Sequence, residues 1–199
     1  MSAVLLIRLK ITDLTAWSAL ESGRRLLAPG HSMTRLVREN LILFEPEQGI
    51  GADAFEGALG EAIRHSNFFV NPNKESYRFL GSSDRGEALD PPEGAWGILA
   101  RARDETRDES LRQRLLREHP LRGLGAIRRG KVWWFWTSGT DGGRAVEECS
   151  QAVGQVRDQR RGLLVNPHCE ASMLLTKPTP WRQIERFLIE APPSLEEAA

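Results

Sequence analysis

The chain has 199 residues, 40% of them hydrophobic and 27% charged, with Lys+Arg and Asp+Glu both at 27. That is the balance of an ordinary globular protein, and without a basic surplus nucleic acid is not the expected partner. No stretch approaches the roughly 20 apolar residues of a membrane helix, and the start MSAVLLIRLK lacks the n-region and cleavage site of a signal peptide. Cys149 and Cys169 suffice for neither a disulfide framework nor a metal site, so free thiols and a cytoplasmic location are expected, with no cofactor and no metal.

In chain order, VLLIRLKI (4–11) is an apolar, β-branched run bounded by Thr12 and Asp13, which reads as a strand. LTAWSALESGRRLL follows with Leu14, Trp17, Leu20, Arg24 and Leu27 at helical spacing and Thr12 or Asp13 as N-cap. MTRLVR and LILFEP flank Glu39-Asn40, which predicts a tight hairpin. DAFEGALGEAI (53–63) is a second helix, running on to Phe68-Phe69-Val70, Asn71-Pro72 and a strand near 75–80. The predicted order is β-α-β-β-α-β.

The stretch GSSDRGEALDPPEG (81–94) has the composition of a linker. Then the order repeats. WGILARAR (96–103) is a strand, and residues 105–119 form a helix with acids early and bases late, which suits the helix dipole. LGAIR and KVWWFWT flank Arg129-Gly130, so Gly130 matches Asn40, Arg128 matches Arg38 and Ile127 matches Val37. Asn and Gly both tolerate the positive φ of a type I′ turn. A helix over about 144–157 leads to Leu163, Leu164, Val165, Asn166 and Pro167. The last helix is capped by Thr179 with Pro180 in its first position, and Trp181, Ile184, Phe187 and Leu188 make an apolar stripe for docking. The tail APPSLEEAA is expected to fray.

The second half thus restates the first. Val70, Asn71, Pro72 and Glu75 align with Val165, Asn166, Pro167 and Glu170 without a gap. The offset is 90 at the hairpins and 95 at Asn-Pro, which places five extra residues in TSGTDGG (137–143). The expected division is a first module at 1–80, a linker at 81–94, a second module at 95–176, and a terminal helix and tail at 177–199.

Neither hairpin strand has a polar face. Val132, Trp134 and Trp136 alternate with Trp133 and Phe135, and Leu41 and Leu43 alternate with Ile42 and Phe44. One four-stranded module covers a single sheet face with its helices and would leave a large aromatic patch in water. A module of about 80 residues is also marginal alone. The expected fold is therefore α+β: two antiparallel sheets packed as an intramolecular pseudo-dimer, helices outward. Its core would hold Ile42, Phe44, Trp133, Trp134, Phe135 and Trp136.

The hairpin pattern Val/Ile-Arg-x-Asn/Gly and the helix exit apolar-apolar-x-Asn-Pro-x-x-Glu resemble the small PurS subunit of phosphoribosylformylglycinamidine synthase. The resemblance covers both halves, as two fused modules. Asn40 departs from the family's hairpin glycine and Leu41 from the lysine that follows it. The resemblance implies a non-catalytic role in purine biosynthesis, holding synthetase and glutaminase subunits together while ammonia passes between them. The residues that carry it, Arg38, Arg128, Asn71, Pro72, Glu75, Asn166, Pro167 and Glu170, are the partner-contact candidates.

Each candidate has a plainer reading. Asn-Pro stops a helix and launches a strand, because the residue before proline is pushed out of the α region. Glu75 and Glu170 read equally as solvated edge charges. TSGTDGGR could cradle an anion but lacks the lysine of a phosphate loop. His31, His65, His119 and His168 show no metal-ligand spacing, and adjacent strand residues such as His168 and Cys169 point to opposite faces, against a cooperating pair. The alternative function is a small-molecule binder or enzyme using the cleft between the halves, since fold alone does not exclude it.

Overall fold

In the computed structural model, residues 2–26, 32–83, 86–104, 106–119, 121, 123–138 and 163–190 are described. Cys149, the helix expected over 144–157, residues 139–143 of the loop before it and the tail lie outside them. The fold is α+β. Its strands are β1 (Ala3–Leu9), β2 (Met33–Pro46), β3 (Glu75–Leu80), β4 (Ala88–Leu89), β5 (Trp96–Ala102), β6 (Leu124–Thr137), β7 (Glu170–Leu175) and β8 (Thr179–Pro180). Its helices are α1 (Leu14–Leu26), α2 (Ala52–His65), α3 (Thr106–Glu118) and α4 (Trp181–Ile189).

Six strands form one sheet in the order β3-β1-β2-β6-β5-β7, with antiparallel pairing at every step. The two expected hairpins are not formed. Glu39-Asn40 and Arg129-Gly130 lie inside the uninterrupted 14-residue strands β2 and β6. Among the described residues no non-glycine residue has positive φ, and Gly130 is not among the glycines that do. The physical reason is the partner. Straight, β2 and β6 pair with each other along almost their full length, through Arg38↔Trp133, Asn40↔Lys131 and Ile42↔Arg129. Gly130 is a close-approach glycine: a Cβ there would stand 2.8 Å from Leu99 Cδ1 and 3.1 Å from Leu188 Cδ2.

The sheet is stepped. β1 pairs with residues 39–44 of β2, and β5 pairs with residues 131–135 of β6. The outer edge at the start of each long strand therefore has no strand neighbour among the described residues. An arginine from the preceding helix covers the first carbonyl of each. Arg24 donates to Met33 O (2.7 Å) and Thr34 O (2.9 Å), and Arg112 donates to Leu124 O (3.3 Å).

Helices α1, α2 and α3 cover one face, in a crossed arrangement. Leu115 of α3 joins Phe55, Leu59 and Ile63 of α2 over Leu5, Ile42 and Phe44, which belong to the first half. Ala16 of α1 joins a cluster with Ile98, Trp133 and Phe135, which belong to the second. Each long strand thus carries its helix over to the other half's strands.

One sheet stands where the sequence suggested two facing ones, so another layer must cover the opposite face. Val4, Leu6, Leu41, Leu43, Leu99, Val132 and Trp134 are buried there under Trp181, Ile184 and Leu188 of α4 and Leu89 of β4. Burying side chains of this size contributes roughly 1.5–3 kcal/mol each. Trp133, Trp134 and Phe135 are buried on alternating faces, whereas Trp136 is half-buried. The 81–94 segment is more than a connector, because its β4 pairs with β8 through Ala88↔Pro180 and Leu89↔Thr179. Thr179 does not cap α4; its hydroxyl donates to Lys177 O, and Pro180 is the N-cap. At the other end of α4, the buried Arg101 donates to Phe187 O (3.2 Å), Leu188 O and Glu190 O (2.9 Å). Those carbonyls have no partner within the helix, and a cation there also suits the helix dipole.

Candidate functional site

The repeated Asn-Pro-x-x-Glu builds the same turn twice. In the first, Asn71 Oδ1 accepts from Asn73 N (3.1 Å), and Glu75 Oε2 accepts from Asn71 N (2.7 Å). In the second, Asn166 Oδ1 accepts from His168 N (3.1 Å), and Glu170 Oε2 accepts from Asn166 N (3.0 Å). Lys74 N and Glu75 N donate to Asn71 O as Cys169 N and Glu170 N donate to Asn166 O. A cation just past the neighbouring strand closes each turn: Lys10 Nζ donates to Pro72 O (2.9 Å) and Arg103 Nε to Pro167 O (3.0 Å). Asn is there for an Asx turn and Glu for a charge-assisted bond to a main-chain N–H. Asn71, Pro72 and Asn166 are exposed, Pro167, Glu75 and Glu170 half-buried. Nothing in the sequence singled out Lys10 and Arg103, since the contact joins residues about 60 positions apart.

The arginine match shifts by one residue. β2 and β6 bury the same positions counted from their first residues: Met33, Leu36 and 41–44 against Leu124, Ile127 and 132–135. Arg38 therefore corresponds to Arg129, not Arg128. Arg38 donates to Asp13 Oδ2 from Nε (2.9 Å) and to Oδ1 from Nη2 (3.2 Å). Arg129 Nε donates to Asp108 Oδ1, and its main-chain N–H to Oδ2 (3.2 Å). Arg128 instead faces Glu45, with Nε 3.7 Å from Oε1. Matching the halves by their turn residues slid the register, because neither residue makes a turn.

Helix capping separates the halves further. Asp13 Oδ1 also accepts from Thr15 N (3.0 Å) and Ala16 N (3.1 Å), so one carboxylate caps α1 and holds Arg38. In the second half Asp104 caps α3 through Thr106 N (2.8 Å), leaving Asp108 for Arg129. The Thr106 hydroxyl and main-chain N–H hold the Asp104 carboxyl below its usual range. The Glu109 carboxyl is likewise lowered, chiefly by the hydrogen bond from Gln113 and then by Arg112.

A cleft opens at each step of the sheet. At the end of β5 it measures about 440 Å³, over Ile7, Ile42, Phe68 and the cross-strand pair Asn40 and Lys131. Its charges balance: Arg107, Arg129 and Lys131 against Asp104, Asp108 and Glu170, with Lys131 Nζ 3.9 Å from Glu170 Oε1. At the end of β1 the cleft measures about 260 Å³, and on the α1 face Arg38 meets Asp13, whereas Arg35 turns to the opposite face and stacks on Trp136. Such clefts can bind charged or amphipathic groups. Among the described residues no three His, Cys, Asp or Glu side chains are grouped to hold a metal ion. His65 lies 3.0 Å from Glu61, His119 packs edge-on to Phe68, and His168 and Cys169 are exposed in their turn. No helix among the described residues is long and apolar enough to cross a membrane. Comparison of the chain with protein families and with curated proteins finds no match.

Proposed function

We propose that the chain is a fused pair of PurS-like modules acting as a non-catalytic assembly subunit, one that holds a synthetase and a glutaminase together in formylglycinamidine ribonucleotide formation. The observation that carries this reading is the doubled turn: the residues of the resemblance, Asn71 to Glu75 and Asn166 to Glu170, make the same bonds twice. The strand order, which runs outward alike from the β2–β6 pair, also supports two modules. In this reading the modules join edge to edge and exchange a helix and half a long strand, forming a pseudo-dimer within one chain. The exposed Asn-Pro turns then lie at two related places, where a fused pair offers two contacts.

The experiment is reconstitution with the synthetase and glutaminase subunits of phosphoribosylformylglycinamidine synthase. Co-elution, and glutamine-dependent activity that requires the chain, are the expected results. A chain that binds neither subunit overturns the reading. The cleft of about 440 Å³, lined from both halves by Asn40, Phe68, Arg129 and Lys131, favours a second reading as a small-molecule site. A thermal-shift screen of metabolites tests it, since a ligand well above its dissociation constant raises Tm.

A further inference from the structure

One position sets the two halves apart on the face that α1, α2 and α3 cover. Ile42 and Trp133 are each the tenth residue of their long strands, and both are buried on that face. Trp133 fills its surroundings with an indole. It packs with Ala16, Ala100 and Leu164, with Leu163 against them, and is 5% exposed. The Arg38 guanidinium lies 5.8 Å and Lys131 Nζ 5.9 Å from its ring centroid, so two cations flank one ring.

The matching surroundings of Ile42 follow from the register of the halves. Ile7 pairs with Asn40 as Ala100 pairs with Lys131, so Ile7 stands for Ala100 and Asn40 for Lys131. Phe68 and Phe69 stand for Leu163 and Leu164, and Arg129 for Arg38. All of these line the cleft of about 440 Å³ together with Ile42. Phe68 and Phe69 are larger than the two leucines, yet the cleft still opens there. Where the second half folds an indole of its own into place, the first half leaves room at the equivalent position. Asp108 fixes the Arg129 guanidinium beside it, as Asp13 fixes Arg38 beside Trp133.

The second half supplies the polar part of the lining, where Arg107 and Lys131 face Asp104 and Glu170. Both signs are present in equal number, so the complementary group carries both signs as well. Lys131 Nζ and Glu170 Oε1 stand 3.9 Å apart, beyond hydrogen-bond length, and the other Glu170 oxygen is the one that accepts from Asn166 N. Each partner therefore keeps bonding capacity for a ligand.

We propose that this cleft binds an aromatic α-amino acid of indole size. Its ring takes the place that Trp133 takes in the other half, its carboxylate meets Lys131 and its ammonium meets Glu170. This rests on the reading of the cleft as a small-molecule site, and it names the ligand class.

The experiment is isothermal titration of the full-length chain with L-tryptophan, beside indole, tryptamine and indole-3-propionate, which keep the ring and lose the tail or one of its charges. Tryptophan should bind tightest, with each analogue about tenfold weaker or more. Lys131→Gln should weaken tryptophan and indole-3-propionate about tenfold and should not weaken indole or tryptamine. Ile42→Trp, which writes the second half's residue into the first, should abolish binding of all four. Should that core change unfold the chain, Lys131→Gln, at a half-buried position, decides alone. The proposal falls if tryptophan does not bind, or if any analogue binds as tightly. It also falls if Lys131→Gln weakens indole as much as tryptophan, or if folded Ile42→Trp still binds. The thermal-shift screen separates this ligand from the reading it rests on. A different metabolite that raises Tm while tryptophan is silent sinks the amino acid alone. Silence from every metabolite sinks both.

Discussion

The two steps of the sheet share their construction and differ in their surface. At each, a long strand runs past the end of its neighbour, a helix fills the corner, an arginine covers the first carbonyl and an Asp–Arg pair ties helix to strand. One corner leaves Leu14 and Trp17 of its helix start exposed; the other begins its helix with polar and charged side chains alone. Features common to both corners are those the fold needs. Features present at one are free to serve something else.

The same comparison runs through the core, and the largest expected effect lies there. Val4 faces Leu43 across β1 and β2, and at the matching place Gly97 faces Trp134 across β5 and β6. A Cβ on Gly97 would overlap the Trp134 ring, 2.7 Å from Cε3, so the glycine makes room for the indole. Trp134 is 2% exposed, and its Nε1 donates to Glu39 Oε2 (2.9 Å). Trp134→Ala should cost about 3–5 kcal/mol in urea unfolding. Trp134→Leu should cost less, and Gly97→Val alone should destabilise by overpacking, about 1–3 kcal/mol. Gly97→Val/Trp134→Leu, which writes the first half's pair into the second, should recover most of either loss. A double variant no more stable than its worse parent would break the equivalence of the two places.

A smaller effect sharpens the comparison at the helix starts. Asp13 does two tasks that Asp104 and Asp108 divide. Asp13→Ala should therefore cost about 1 kcal/mol more than Asp108→Ala, the usual value of a helix cap. Equal losses in chemical denaturation would mean that the Asp13 cap contributes nothing beyond the Arg38 pair. Smallest are the turns. Glu75→Gln and Glu170→Gln each weaken one bond to a main-chain N–H, and each should cost about 0.5–1.5 kcal/mol. Amide exchange at Asn71 should quicken in the first variant and at Asn166 in the second. A variant in which the amide does not respond would separate the two turns.

Local chemistry was legible in the sequence wherever the pattern was itself local. Strand periodicity located β1, β3 and β5 closely, helical spacing located α1, α2 and α3, and the doubled Asn-Pro-x-x-Glu marked two turns that do bond alike. The terminal stripe of Trp181, Ile184 and Leu188 docks as expected. The hairpins failed for a reason residues 39–40 and 129–130 do not contain. Asn and Gly permit a turn without requiring one, and the choice between bending back and running straight depends on whether another long strand lies alongside. Reading Gly130 as a turn then slid the arginine match from Arg129 to Arg128. The apolar alternation of 132–136 correctly demanded cover on both faces, but it could not say that α4 and β4 would supply it.

By itself the sequence determined the α+β class, the placing of its main elements, the two matching turns and the need for a covered sheet. These follow from side-chain period, capping and turn chemistry, which act within a few residues. Only the tertiary structure decided that β2 and β6 run straight beside each other, that α1 and α3 cross to the opposite halves and that Arg38 and Arg129 meet Asp13 and Asp108. Those outcomes rest on pairings between residues far apart in the chain, where packing and main-chain hydrogen bonds outweigh local preference.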